Sequence, residues 1–247
     1  MKPFFTMLRT ELKLSLRGMD MVIFAICMPL AALVILGVLY GDQPAFTGAD
    51  FTFLEQCFGA LTTISICAGG VMGLPLVVSD YRSRKILKRF QVTPISPAMI
   101  LLVQVTVYAM YAAVSLLLLC LTGKAFFGLQ FHGSFPLFLC GYLLVMLSMF
   151  SIGMMVGGVS PNSKTASIIA SFLYFPMLIF SGATLPYESM PGALQKVADF
   201  LPLTQGIKLL KAFSLGLPTQ DALIPIIIMA VVMTICIVAA LKFFRWE

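Results

Sequence analysis

Residues 158–166 read GVSPNSKTA: a glycine, four residues, then Ser163, Lys164 and Thr165. A phosphate-cradling loop reads glycine, four residues, glycine, lysine, then serine or threonine, so only the second glycine is missing. Such a loop follows a β-strand and opens a helix, and its glycines let backbone N–H groups approach phosphates. Here the stretch follows the apolar run MMVGGV, and Ser163 stands where the second glycine is required. Ser160-Pro161 is expected to close one helix and Asn162 or Ser163 to cap the next. A helix-to-helix turn, with no nucleotide, is the reading these residues support.

Other residue types that could do chemistry are sparse. The only histidine, His132, lies between Phe131 and Gly133 and reads as a solvated loop residue rather than a base. No H-E-x-x-H occurs, and no carboxylates are paired within the apolar runs. Ser181-Gly182 resembles a nucleophile context, but no base can be assigned to it. The six cysteines are scattered singly through apolar sequence with no C-x-x-C, which gives neither zinc nor thioredoxin-like spacing. Cys120 and Cys140 would lie near one membrane face, where a disulfide and two buried free thiols are both open. No catalytic, cofactor-binding or metal-ligating residue is expected in this chain.

The elements that hold these residues follow from composition. The 247 residues are 60% hydrophobic and only 11% charged, against ~25% charged in a typical soluble domain. Six runs free of Asp, Glu, Lys and Arg can each supply the ~20 apolar residues that cross a bilayer as a helix. They predict spans over residues 21–41, 56–79, 98–121, 135–159, 164–183 and 222–242, in one transmembrane domain covering the chain. The runs lack the alternating polarity of barrel strands, so the fold class is an all-α integral membrane protein. The first run is too long for the apolar region of a signal peptide and lacks a small-x-small site, so it reads as a retained span.

Six spans put both termini on one side, and the cations say which. Twelve basic residues fall on the side of the termini: Lys2, Arg9, Lys13, Arg17, Arg82, Arg84, Lys85, Lys88, Arg89, Lys164, Lys242 and Arg245. Four fall on the other: Lys124, Lys196, Lys208 and Lys211. The positive-inside rule makes the first side cytoplasmic, in a plasma or inner membrane. The net charge of +6 is then a topology signal. No aromatic residues interleave a basic stripe as in a nucleic-acid groove, and no nucleic acid is expected.

Three segments outside the spans have their own patterns. In the N-terminal arm Phe5, Leu8, Leu12 and Leu16 share a helical face, flanked by Arg9, Lys13 and Arg17. A helix lying in the interface beside lipid headgroups and a plain positive anchor both fit it. Residues 80–94 begin DYRSRKILKRF, a short basic helix with Ile86, Leu87 and Phe90 as apolar anchors. It breaks at Thr93-Pro94, and Ser96-Pro97 starts the next span. A partner protein could dock on such a helix. Residues 184–217 are too apolar for a solvent loop. Leu194, Val197, Ala198 and Leu201 form a stripe, Pro202 stops it, and Ile207 and Leu210 continue it, which predicts two short amphipathic helices dipping into the outer leaflet.

The middle of every predicted span lacks an ionisable residue of the kind that ion-coupled carriers tolerate for coupling. Thr62, Thr63, Ser65, Gln104, Ser148 and Ser171 are open to two roles, interhelical hydrogen bonding and ligand contact. The pairs Gly37/Gly41, Gly69/Gly73 and Gly153/Gly157 fit a closely packed bundle. Pro29, Pro75 and Pro176 fit both static kinks and moving helices. A substrate moved by this chain would draw free energy from outside the spans, through the basic segments. An ATPase-independent channel or secondary carrier is the alternative.

Two segments in this order carry a family resemblance: LKRFQVTPIS, a charged stretch leading to a Thr-Pro step, and FSGATLPYESMPGALQKVADFLPLTQGIKLL before the last span. With the six spans they make the chain resemble the permease subunit of an ATP-binding-cassette exporter, of the type-2 permease class that includes drug and antibiotic exporters. The resemblance implies a transport subunit that is no enzyme and exports a hydrophobic or amphipathic substrate. It implies a second permease copy, identical or a sister chain, and two copies of a separate ATPase that binds the ATP and magnesium. Membrane lipid is the remaining partner. The ATPase contacts implied are Phe5, Leu8, Arg9, Leu12, Lys13 and Arg17, then Arg82, Arg84, Lys85, Leu87, Lys88, Arg89, Phe90, Thr93 and Pro94. The implied substrate path and dimer interface, largely spans two and five, carries Thr62, Ser65, Met72, Phe172, Phe175 and Phe180. The family pattern has a glutamate and a glycine in the charged segment, about where Ser83 and Lys85 stand here.

Overall fold

The computed structural model describes residues 2–41, 43–46, 49–84, 96–181 and 191–243. The described residues are helical throughout apart from connections, and they form no β-strand beyond one bridge between Pro44 and Thr52. Helix α1 spans Lys2–Gly18 and α2, the first span, Asp20–Tyr40. Span two is α3, Phe53–Ser83, and spans three to five are α4 (Pro97–Phe127), α5 (Phe135–Val159) and α6 (Ser163–Phe180). Two shorter helices, α7 (Gly192–Phe200) and α8 (Pro202–Leu215), precede span six, α9 (Thr219–Phe243). Six of these helices are long and apolar enough to cross a membrane, and the chain is a multi-pass membrane protein. The face that carries α1 is called the basic face below.

Span two is the axis. In its most apolar stretch 83% of residues are buried, against 22% in spans one, five and six. Small residues let its neighbours come close. A Cβ at Gly153 would overlap the Gly70 carbonyl oxygen, and one at Gly70 would sit 2.7 Å from the Phe150 ring. One turn on, Gly157 faces the Val78 side chain and Pro75. Gly37 and Gly41 receive Phe127, while Gly73 takes Tyr108 and Met21. Each of the three glycine pairs thus holds a neighbouring side chain or backbone, as small-residue packing in membranes requires.

Two prolines shape spans one and two in the same way. Each follows a π-helical turn, Ile23–Cys27 before Pro29 and Ala68–Gly73 before Pro75. A proline cannot donate to the carbonyl four residues back, and the extra residue in a π turn absorbs the mismatch. For Pro29 that carbonyl belongs to Ala25, which is buried. Ser65 of span two donates its hydroxyl to it at 2.6 Å. The hydrogen-bonding gap that Pro29 opens in span one is therefore closed by span two.

The connection before span six forms two short helices, and the second packs inside the bundle. Eleven of the fourteen residues of α8 are buried. Its Leu210–Lys211 backbone lies against Gly59, its Gly206 against Thr63 and Val145, and its Phe213 carbonyl against Gly133 in the loop between spans three and four. From that loop down to Gly206 is ten residues of helix, or ~15 Å of depth. Helix α8 is thus enclosed by spans two, four and six. Its two cations are too few to give it a polar face, and Lys208 is held at 2.6 Å by Asp199 of α7. Helix α7 keeps an outward apolar edge of Leu194, Val197 and Phe200.

Gly153→Ala is expected to force spans two and four apart and to destabilise the detergent-solubilised protein by about 3 kcal/mol. Gly192→Ala, where an added Cβ meets nothing within 4 Å, should be neutral or slightly stabilising. Thermal unfolding of the two variants, followed by circular dichroism, checks the contrast.

Candidate functional site

On the basic face α1 packs along α4. Its inward stripe is Phe4, Met7, Leu8, Glu11, Leu12 and Ser15, all partly buried, while Phe5, Arg9, Lys13, Leu16 and Arg17 are exposed. Of the Phe5–Leu8–Leu12–Leu16 face, Leu8 and Leu12 pack inward while Phe5 and Leu16 stay exposed, and the middle of the packed stripe is a carboxylate. Glu11 Oε2 accepts from the Tyr81 hydroxyl at 2.6 Å and from Gln104 Nε2 at 2.8 Å. Gln104 Nε2 also lies 3.2 Å from the Tyr81 oxygen, which closes a triangle between α1, the end of span two and span three. A turn further on, Tyr111 donates to Ser15 Oγ at 2.9 Å. The visible signal for this cluster was that Glu11 is the only acid on a helix otherwise carrying cations.

The neighbouring residue faces the other way. Arg82 donates through Nη1 to the carbonyl oxygens of Gly158 and, at 3.2 Å, Ser160. These are last-turn carbonyls of span four, left without helical donors, and a guanidinium is a natural cap for them. Arg82 is therefore occupied within the chain. Arg84 is open, with 70% of its side chain exposed and an ion pair at 2.9 Å to Asp80. The expected contact residues Lys85, Leu87, Lys88, Arg89, Phe90, Thr93 and Pro94 lie outside the described residues.

The phosphate-loop look-alike is the turn between spans four and five. Asn162 caps α6 by accepting from the Thr165 amide at 2.8 Å and the Thr165 hydroxyl at 3.1 Å. Ser160 turns its hydroxyl back to the Val156 carbonyl. The turn joins helix to helix, with its first glycine carbonyl held by Arg82.

The residues expected along a substrate path separate into two groups. Thr62 and Ser65 are buried, and both hydroxyls are used on backbone carbonyls, those of Phe58 and Gly59 for Thr62 and of Ala25 for Ser65. Phe172 and Phe175 project outward from span five with 78% and 52% exposure. Met72 and Phe180 are intermediate, and Ser171 Oγ lies 4.0 Å from the Met72 sulfur. An apolar groove of about 280 Å³ opens beside them, lined by Met28, Pro29 and Ile35 of span one, Leu61 and Ile64 of span two, and Leu178 of span five.

At the opposite end of span two, Glu55 is 6% exposed and sits in a capping box with Thr52. Its Oε2 accepts from the Thr52 amide at 2.8 Å, and its Oε1 from the Gln130 amide at 2.9 Å. His132 Nε2 approaches Oε2 at 3.3 Å with 36% of its side chain exposed. The histidine expected to be solvated is thus a partner of a buried carboxylate, and the pair fastens the loop between spans three and four to the start of span two. All six cysteines are free thiols, including Cys120 and Cys140. Among the described residues no group of three His, Cys, Asp or Glu could hold a metal.

Fold and site together define a polytopic helical membrane protein whose chemistry-bearing side chains fasten helices to one another. The sequence pattern of ABC-2 type transporters matches residues 2–215, and the chain belongs to that family. It is 30% identical over 122 residues to the inner membrane transport permease YhhJ of Escherichia coli (strain K12), covering 49% of this chain and 33% of that protein. It is also 35% identical over 75 residues to nodulation protein J of Rhizobium leguminosarum bv. viciae, covering 30% of this chain and 29% of that one. The aligned stretches thus span about a third of these relatives' length.

Glu55→Ala removes a helix cap and leaves buried donors without an acceptor. It should lower stability by about 2–3 kcal/mol. Thermal unfolding in detergent reads this loss, and Glu55→Gln, which keeps an acceptor, should recover part of it.

Proposed function

We propose that this chain is the membrane-spanning subunit of an ATP-driven exporter, energised by a separate ATP-binding-cassette ATPase. The observation that carries the reading is the family match over residues 2–215, which takes in α1, five of the spans and the α7–α8 connection. The distribution of charge agrees with it. Every carboxylate and cation within the spans stands in a first or last turn, so a proton- or ion-driven step has no carrier at membrane depth. One relative is named a transport permease of the inner membrane.

In this reading the basic face is cytoplasmic, because twelve of the sixteen cations gather there. Both termini lie on that side. Two ATPase copies, which hold the ATP and magnesium, engage the exposed flank of α1 (Phe5, Arg9, Lys13 and Arg17) and the segment from Arg84 to Pro94. A second permease, a copy or a sister chain, meets the outward edge of span five at Phe172 and Phe175. The substrate is hydrophobic or amphipathic, since the groove between spans one, two and five offers it no charge.

The affinity-tagged chain, purified in mild detergent from its native host, should bring down an ATP-hydrolysing partner in stoichiometric amount. Its consistent absence overturns the proposal. Reversing the charges at Arg84, Lys85 and Lys88 to glutamate should leave membrane insertion intact and reduce recovery of that partner at least about tenfold, since each reversal replaces an attraction with a repulsion. Undiminished recovery rules out this segment as the contact.

A further inference from the structure

The Glu11 triangle has no role in chemistry and is a poor choice for packing alone. Met7, Leu8 and Leu12 beside it on the inward stripe of α1 are apolar, and a leucine there would pack against span three without drawing a charge out of water. A carboxylate in that position instead fixes one geometry, because its two hydrogen-bond donors come from different helices. Tyr81 belongs to the last turn of span two and Gln104, 3% exposed, to span three. Both reach the same oxygen, and charge-assisted bonds of 2.6 and 2.8 Å are short and directional. The next residue, Arg82, holds the end of span four. The last turn of span two is thus fastened on both sides immediately before the basic segment.

We infer that Glu11 is a positioning residue that locks α1, the basic-face end of span two and span three into one rigid unit, so that force applied to α1 moves the two spans together. The inference rests on the reading that the basic face receives an ATPase. Without the lock, α1 is a surface helix held to span three by apolar side chains and the Ser15–Tyr111 bond, free to slide over it. With it, a displacement of α1 cannot be absorbed at the surface. It reaches span two at Tyr81, beyond the π-helical turn before Pro75 where Gly70 is pressed against span four.

The test uses spin labels on Thr10→Cys and Ser83→Cys, both exposed, in a chain whose six native cysteines are replaced by alanine or serine. Electron-electron distance measurements are made on the permease in phosphatidylethanolamine–phosphatidylglycerol vesicles. They are repeated on its complex with the co-purified ATPase, nucleotide-free and trapped with magnesium, ATP and vanadate. The expected result is one narrow distance that stays the same in both states to within ~1 Å, less than the ~1–2 Å of typical helix shifts. With Glu11→Leu the distance should broaden in vesicles and differ between the two states, since one helix then moves without the other. Glu11→Gln, whose carbonyl oxygen can still accept from both donors, should restore the narrow and invariant distance.

A distance that changes on trapping in the unmutated background overturns the inference. So does a Glu11→Leu variant as narrow and invariant as its parent. If no ATPase co-purifies, the proposed function fails instead, and the vesicle measurement still decides whether Glu11 makes the lock.

Discussion

A helix enclosed by other helices has neither water nor lipid headgroups to receive its polar groups, and span two is such a helix. Every backbone carbonyl freed by its neighbours, and every hydroxyl of its own, must find a partner inside the protein. The arrangement of the bundle follows from how this is met. Thr62 and Thr63 turn back on carbonyls one turn earlier. Ser65 instead reaches out to the Ala25 carbonyl that Pro29 leaves without a donor. At one end Glu55 receives the amides of Thr52 and Gln130. At the other Tyr81 and Arg82 fasten α1, span three and span four. Span two is satisfied only when its neighbours are in place, so its position and theirs are set together.

The same enclosure explains where glycine is needed. Hydrophobic burial gives little reason for one apolar helix to choose another over lipid, so the choice rests on close contact and hydrogen bonding. Gly70 and Gly153 let the backbones of spans two and four touch at the height of the π-helical turn before Pro75. A carbonyl oxygen occupies the space a side chain would take. The kink and the contact are therefore one feature: the turn carries Gly70 to span four, and span four holds the turn.

Much of this was legible in the sequence, for a physical reason. Crossing a bilayer demands long uncharged runs, and hydropathy reads that demand directly, so the six spans stood out. Caps were readable too, because Ser96 and Asn162 use local chemistry within three residues. Partners forty or more residues apart were not. Ser65 and Ala25, Glu11 and Gln104, and Arg82 and Gly158 leave no local trace of each other. The inward place of Glu11 was not legible for a related reason: an apolar stripe drawn from sequence passes over a charged residue.

Cations on the basic face consequently do two different jobs that composition cannot separate. Orientation needs only that they stay on one side of the membrane, and Arg9, Lys13 and Arg17 satisfy that while exposed. Arg82 counts equally in the charge sum, yet its guanidinium closes the end of span four. The carbonyl it holds belongs to Gly158, the first glycine of the stretch that resembles a phosphate loop. In a nucleotide-binding loop, backbone N–H groups face outward toward an anion. Here Gly158 and Ser160 present carbonyls at a helix C-terminus, whose partial negative charge calls for a cation. The stretch thus joins a helix C-terminus closed by a cation to the N-terminus of α6 capped by Asn162, and its polar groups are spent on linking two helices.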